Sequence, residues 1–284
     1  MMKFRCLSTL FTLLSLLFNF SALAAETDVV TSISVSSLSI DTAINDRLTI
    51  SDDFVTNGTV QNRRRSKVDT SGTEIGITVI EEDFYYGFTT MLTGQSVSDY
   101  SSRYTQNHPD FGNRDELIAT PETVSITSYS AYLGTRVTDN VRVYGGFTTG
   151  KTHAGEEYFF EESGPFIGAQ YIFPLEESSL TLDLSYSALN SELSLKDFDE
   201  NQEPYVSAGN QDGYTVDADT TGFSFSMTWL RGLDRGRSYY FRLKFIELDI
   251  DNGSVAITGN ANATGIAEVS GSKSVSSLAL GMGF

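Results

Sequence analysis

Apolar and polar residues alternate with a period of two in segment after segment of this sequence. The cleanest example is LTLDLSYSA at 180–188, where Leu180, Leu182 and Leu184 alternate with Thr181 and Asp183. Such alternation predicts antiparallel strands with one apolar and one polar face. No long helical pattern follows residue 25. The predicted strands are 73–80, 84–92, 128–137, 141–150, 165–173, 180–188, 221–230, 239–248 and 277–284.

The connections between these strands alternate between short and long. Short turns such as EED and TDN are followed by long connectors at 97–122, 151–164, 197–214 and 251–271. A β-sandwich has no reason to sort its loops in this way, whereas a transmembrane barrel has short turns at one end and long loops at the other. The sequence therefore predicts an all-β fold, a transmembrane antiparallel up-and-down β-barrel.

The strand number follows from parity, because single-chain bacterial barrels have even numbers of strands. Nine strands are recognised, so one is missing before residue 73, and 46–60 is the best candidate. We predict about ten strands, with eight and twelve as alternatives. The predicted organisation is a signal peptide at 1–24, a Ser/Thr-rich N-terminal segment at 25–72 with the candidate first strand, and the barrel at 73–284. For residues 26–45 three roles stay open: a periplasmic lead, a short plug or part of the first strand.

Aromatic residues collect at the strand ends next to short turns. This placement predicts an aromatic girdle at a membrane–water interface. Ordinary core aromatics would spread along the strands. The predicted girdle residues are Tyr171, Phe173, Trp229, Tyr239 and Phe241.

The N-terminus reads as a secretory signal peptide. Lys3 and Arg5 precede an apolar run, and Ala22-Leu23-Ala24 supplies a small-residue cleavage site. The only cysteine, Cys6, lies within this segment, so a processed chain has no disulfide and no Cys-based metal site. No later stretch reaches the length of apolar sequence that a transmembrane helix needs.

The C-terminal strand ends on a bare aromatic. Leu278, Leu280, Met282 and Phe284 share one face, and small residues occupy the other. This pattern resembles the C-terminal signature of Gram-negative outer-membrane β-barrel proteins. The resemblance implies a location in the cell outer membrane, contact with outer-membrane lipid and lipopolysaccharide, and recognition of the last strand by the barrel-assembly machinery.

The excess of acidic over basic residues excludes one class of binding partner. The 37 acidic residues outnumber the 19 basic ones, so a nucleic-acid partner is excluded. Strand parity places several polar residues toward the barrel interior, where buried charges must pair. We expect Asp183 to pair with Arg242 and Lys244 in a charge network across the lumen; the alternative is that each charge is hydrated separately in a wet channel. The predicted lumen-facing residues are Arg142, Gln170, Asp183, Arg242 and Lys244.

Candidate chemistry is sparse. His108 and His153 fall in predicted outer loops, and only His153, near Glu156 and Glu157, hints at a catalytic rim. The loop at 197–203 has alternating oxygen ligands but lacks the glycine and the final glutamate of a calcium loop. We therefore predict no catalytic residue, no cofactor and no metal site, with at most loose binding of divalent cations at the acidic outer loops.

The basic run at 62–67 has two interpretations. It could bind lipopolysaccharide phosphates, or it could be an ordinary solvated loop, which is the simpler reading. The expected function is that of a small, non-catalytic outer-membrane barrel, either a narrow channel or a structural or surface-interaction protein. The alternatives are a rim enzyme acting on lipid or peptide, and a secreted soluble β-sandwich binding protein.

Overall fold

The computed structural model describes residues 27–51, 58–81, 83–108, 112–154, 158–195, 214–233, 237–258 and 264–284. The predicted signal peptide at 1–24 lies outside them. No helix that could span a membrane occurs among these residues. They form the segments β1 (Thr27–Ser51), β2 (Gly58–Glu81), β3 (Phe84–Thr93), β4 (Ser96–His108), β5 (Gly112–Arg136), β6 (Val141–Ala154), β7 (Tyr158–Pro174), β8 (Ser178–Leu195), β9 (Tyr214–Gly232), β10 (Ser238–Thr258) and β11 (Thr264–Gly283).

These segments make a closed antiparallel barrel of ten strands. Segments β3 and β4 both pair with β2 on one side and with β5 on the other, so they are two halves of one strand interrupted at Gly94 and Gln95. Strand β1 pairs with β2 and with β11, which closes the sheet on itself. The predicted fold class and strand number are confirmed.

The barrel begins well before residue 73. Strand β1 occupies Thr27–Ser51, and β2 starts at Gly58, so the segment 25–72 supplies one and a half strands. The first strand is therefore not 46–60, because that segment ends β1 and begins β2. Serine and threonine fill much of β1 and obscure the apolar alternation there.

The long connectors are mostly strands rather than loops. Residues 97–122 contain most of β4 and the first part of β5, and 151–164 continue β6 and β7. Residues 251–271 likewise belong largely to β10 and β11. The hairpins at this end therefore project far beyond the segments that the alternation revealed, while short turns join the strands at the other end.

The apolar face changes sides partway along each strand. In β8, Leu184 points outward and is 57% exposed, whereas Leu193, nine residues further on, points inward and is 2% exposed. Strand β9 repeats this change from Phe223 to Val216, and β11 repeats it from Leu280 to Val269. The half of the barrel near the short turns is thus apolar outside, like a lipid-facing band, and the far half is apolar inside, like a water-soluble protein.

Inside the barrel, tyrosine rings lie over glycines of the neighbouring strand. Tyr85 is directly across from Gly134, and a Cβ added to that glycine would lie well under 3.0 Å from the ring. Three further pairs have the same register and the same close approach: Tyr132 with Gly87, Tyr144 with Gly168, and Tyr240 with Gly281. The absent side chains let the rings lie flat against the inner wall, as in the known rescue of strand glycines by aromatic residues.

Candidate functional site

In the half of the barrel near the short turns, the lumen holds a polar cluster built around Asp183. Tyr144 on β6 donates a hydrogen bond to Oδ1 of Asp183 at 2.7 Å, and Gln170 on β7 donates one to Oδ2, also at 2.7 Å. Both carboxylate oxygens are therefore satisfied by neutral donors, one from the adjacent strand β7 and one from β6, the strand beyond it. The Tyr144 ring also packs edge-on against Tyr132, at 6.4 Å between centroids.

An ion pair crosses the lumen at Arg242. Its Nη2 lies 2.9 Å from Oε2 of Glu74, which comes from β2, three strands away around the barrel. Arg242 also lies over the ring of Tyr240, 5.9 Å from the centroid. The sequence led us to expect Asp183 as the partner of Arg242. The structure places Glu74 there instead, a residue in a strand whose inward face the alternation did not single out.

The two remaining predicted lumen bases have different surroundings. Lys244 follows Arg242 on the same face of β10, directly across from Ser226. Arg142 stands near the beginning of β6, across from Gln170, with its guanidinium 5.5 Å from the centroid of Tyr85.

A second cross-lumen ion pair lies in the far half of the barrel. Lys273 on β11 donates to Oε2 of Glu162 on β7, and both side chains are more than nine-tenths buried. The ammonium also lies 5.2 Å from the ring centroid of Phe160. Sequence reasoning missed this pair because Glu162 falls in a segment taken for a loop. The aromatic run at 158–160, which directly precedes Glu161 and Glu162, is the sequence signal that could have indicated a buried strand there.

Two clusters of buried apolar side chains lie on the inner face of the barrel, and Phe160 of the first cluster is the residue that contacts Lys273. Their members include Val216 and Ala267, which are fully buried although they face the inside of the barrel. Inward residues of an open pore would be wet. The first cluster contains Ile44, Phe160, Leu193, Val216, Ala218, Ile250, Ala267 and Val269, and the second contains Leu38, Ile40, Val68, Val124 and Ile126.

The predicted girdle residues lie at the short-turn end of the outer surface. Tyr171 and Phe173 are both about two-fifths exposed, and their ring centroids are 4.4 Å apart. Trp229 contacts Tyr239 edge-on at 5.5 Å, and Phe241 lies across from Trp229.

The C-terminal residues complete the closing seam. The backbone of Phe284 exchanges two hydrogen bonds with Thr31 of β1, at 2.8 and 3.0 Å. Leu278, Leu280 and Met282 are exposed on the outer surface, on the same face of the chain as Phe284. The last residue therefore extends the ladder that joins the ends of the sheet.

The candidate catalytic rim is not assembled in the described part of the chain. His153 is exposed and belongs to the outward face of β6, not to the lumen. Its expected neighbours Glu156 and Glu157, and the acidic loop at 197–203, lie outside the described residues. No group of metal-ligating side chains occurs among the residues described.

Comparison with solved structures places the fold among outer-membrane β-barrels. The outer-membrane protease OmpT of Escherichia coli matches 92% of this chain and 99% of its own, with a TM-score of 0.61 and 12% identity. OprG and a FadL homologue, both from Pseudomonas aeruginosa, match with TM-scores of 0.35 and 0.29 at 11% and 8% identity, covering 89% of this chain and 95% and 90% of theirs. No family model and no curated protein sequence matches the chain.

The likeness to OmpT corrects one expectation. We expected this barrel not to be an enzyme, because no catalytic motif was recognised in the sequence; the comparison contradicts that expectation, because a solved barrel of the same fold is a protease. At 12% identity the likeness shows the fold and assigns no activity to this chain.

Proposed function

We propose that this chain is an integral protein of the outer membrane. Its barrel is closed to diffusion, and the far half of the barrel forms a rigid β-structure exposed at the cell surface. The short turns face the periplasm, and the far half, with its polar exterior, stands in the external medium. The observation that carries the proposal is the burial of inward-facing apolar side chains in the far half of the barrel. Buried apolar side chains and the Glu162–Lys273 pair occupy the space that a channel would need.

The change of apolar face supports the position in the membrane. A band with outward Leu184, Phe225 and Leu280 suits lipid, whereas outward charges beyond it suit water. The tall outer half then has its own apolar core, so it holds its shape above the membrane without lipid around it. A rigid far half of this kind can hold its exposed outer face in a fixed position for contact with other molecules.

Cell fractionation and labelling test this placement. The protein should fractionate with the outer membrane, and unboiled samples should migrate differently from boiled ones on SDS gels. A cysteine replacing Ser254, on the far hairpin, should react with an impermeant maleimide on intact cells. A cysteine replacing Thr138, in a short turn, is the control and should react only after lysis. Recovery as a soluble protein, or the reverse labelling pattern, would overturn the proposal.

The basic run of β2 suggests how the far half of the barrel contacts lipid at the cell surface. Arg63 and Arg65 are exposed on the outward face of β2, and Arg103 lies directly across from Arg63. Arg65 hydrogen-bonds to Asp41 at 2.8 Å and 3.3 Å. Guanidinium groups on the outer wall match the phosphates of lipopolysaccharide. The double variant Arg63→Gln/Arg103→Gln should co-purify with less lipopolysaccharide than the unmutated protein.

Peptide hydrolysis at the outer rim is the second candidate. It rests on the barrel shape shared with OmpT and on His108 and His153, which lie toward the far ends of β4 and β6. Intact cells making the protein should then cleave a mixed peptide library, and His153→Ala or His108→Ala should remove the cleavage. Cleavage unaffected by both variants would point to a different enzyme in the preparation.

A further inference from the structure

The ammonium group of Lys244 lies inside the barrel without a partner in the described part of the chain. The side chain points into the lumen at the next inward position after Arg242 on β10. None of the described residues places a carboxylate within ion-pair distance of this ammonium or forms a hydrogen bond with it. Glu74 and Asp183 attract it electrostatically from farther away. The charge of Lys244 is therefore incompletely neutralised, which is costly in a narrow barrel.

The two carboxylates that attract Lys244 are already engaged by other groups. Glu74 forms an ion pair with Arg242, and both oxygens of Asp183 accept hydrogen bonds. Away from the exposed strand ends, the described inward positions in this half of the barrel carry three cations, Arg142, Arg242 and Lys244, against these two carboxylates. The inner wall therefore has one positive charge in excess.

Serine side chains flank Lys244 on both neighbouring strands. Ser226 of β9 and Ser277 of β11 are its direct cross-strand partners, and both face the lumen with it. Neither hydroxyl forms a hydrogen bond with another described residue. The completely enclosed polar atoms that lack a partner among the described residues include neither of these hydroxyls, and they do not include the ammonium. All three groups therefore border space that a water-sized species can enter, and all three have donors to offer.

We propose that Lys244, Ser226 and Ser277 bind a small monovalent anion, a halide or a carboxylate the size of formate, in the lumen near the short turns. The ammonium supplies a charge-assisted hydrogen bond, and the two hydroxyls donate from the strands on either side. A single negative charge matches the one positive charge in excess on the inner wall.

The position of the site limits the size of the anion and the side from which it enters. Side chains fill most of the interior of a barrel of this size, so only a species of a few atoms fits between the two serines. Lys244 is the seventh of the 21 residues of β10, counted from the short-turn end, so that end is the nearer opening. The site therefore exchanges its anion with the solution at the short turns.

Anomalous diffraction from crystals grown in sodium bromide locates the anion directly. A bromide should be in contact with Nζ of Lys244, between Ser226 and Ser277. Crystals of the Lys244→Met variant should lack this bromide and keep those on the outer surface. Calorimetry of the purified, folded protein in detergent tests the carboxylate, with sodium formate titrated against sodium gluconate, whose anion is too large for the site, at equal ionic strength. Binding of bromide without formate would restrict the ligand to a halide.

Matched variants separate the site from a general effect of charge. Lys244→Met should weaken anion binding about tenfold or more, and Ser226→Ala, which keeps every charge, about two- to tenfold. Arg231 pairs with Glu177 on the exposed surface at the same end of the barrel, so Arg231→Gln should bind as the unmutated protein does. Gel migration without boiling shows which variants fold, and Ser226→Ala decides the matter if Lys244→Met does not. The proposal is overturned if no bromide contacts Lys244, if Lys244→Met and Ser226→Ala bind normally, or if Arg231→Gln loses as much binding.

Discussion

Tyr144 lies flat over Gly168, its direct cross-strand partner, and from that position donates its hydroxyl to Asp183. The glycine and the hydrogen bond depend on each other. A side chain at residue 168 would push the ring off the inner wall, and the hydroxyl could then no longer reach the carboxylate.

Gly168→Ala should therefore destabilise the barrel. An added Cβ would clash with the Tyr144 ring, and overpacking of this kind costs about 1–3 kcal/mol. The free energy of unfolding in detergent, measured with urea, is the appropriate quantity. Gly145→Ala is the matched control, because an added Cβ there meets no atom closer than 3.5 Å. Equal losses from both variants would contradict the proposed role of the ring.

The cross-lumen pair of Glu74 and Arg242 should show direct coupling. Removing either partner leaves the other charge buried, at a cost of about 3–5 kcal/mol. In a double-mutant cycle, Glu74→Ala and Arg242→Ala should be non-additive by about 0.5–3 kcal/mol. The cycle of Asp183→Ala with Arg242→Ala should be closer to additive, since Asp183 is satisfied by neutral donors. The opposite order of coupling would show that the structure pairs the wrong residues.

Depth along one strand should decide the cost of a charge on the outer surface. Leu184→Arg places a charge in the apolar band and should cost about 2–4 kcal/mol if it lies near the membrane midplane. Asn190→Arg, on the same strand and also exposed but beyond the band, should cost almost nothing. Unfolding from lipid vesicles measures both. Similar costs at the two positions would mean that the change of apolar face does not mark the edge of the membrane.

Deletion of Phe284 should impair assembly more than the stability of barrels that do assemble. The deletion removes the two backbone hydrogen bonds to Thr31 and the terminal aromatic side chain of the closing seam. The amount of folded barrel in cells, judged by gel migration without boiling, should fall. Phe284→Tyr is the control that keeps the seam and should assemble normally. Unchanged levels after deletion would count against a role of the C-terminus in assembly.

The half of the fold near the short turns was predictable because its alternation is simple. Residues such as Leu182 and Leu184 face outward, and Thr181 and Asp183 face inward. This alternation predicted nine segments, and all nine coincide with strands of the structure to within one residue at their ends. The far half was not predictable in the same way. There Leu189 and Leu193 face inward, so the apolar period shifts to the other face and the pattern appears broken.

The candidate site was predictable only in part. Parity can suggest that Arg242 faces the lumen, but it cannot say which strand stands opposite. That depends on the stagger of the closed barrel, which brings Glu74 rather than Asp183 to the guanidinium. The partners Glu162 and Lys273 are 111 residues apart, and nothing local in the sequence connects them.

The central claim, a lumen closed to diffusion, is tested most directly by conductance in planar lipid bilayers. The purified protein should insert without producing stable, ohmic open-channel current, because Phe160, Leu193 and Val216 block the path together with the Glu162–Lys273 pair. The quadruple variant Phe160→Ala/Leu193→Ala/Val216→Ala/Lys273→Ala, if it still shows the gel migration of a folded barrel, should conduct. Steady conductance from the unmutated protein would contradict the claim of a closed barrel.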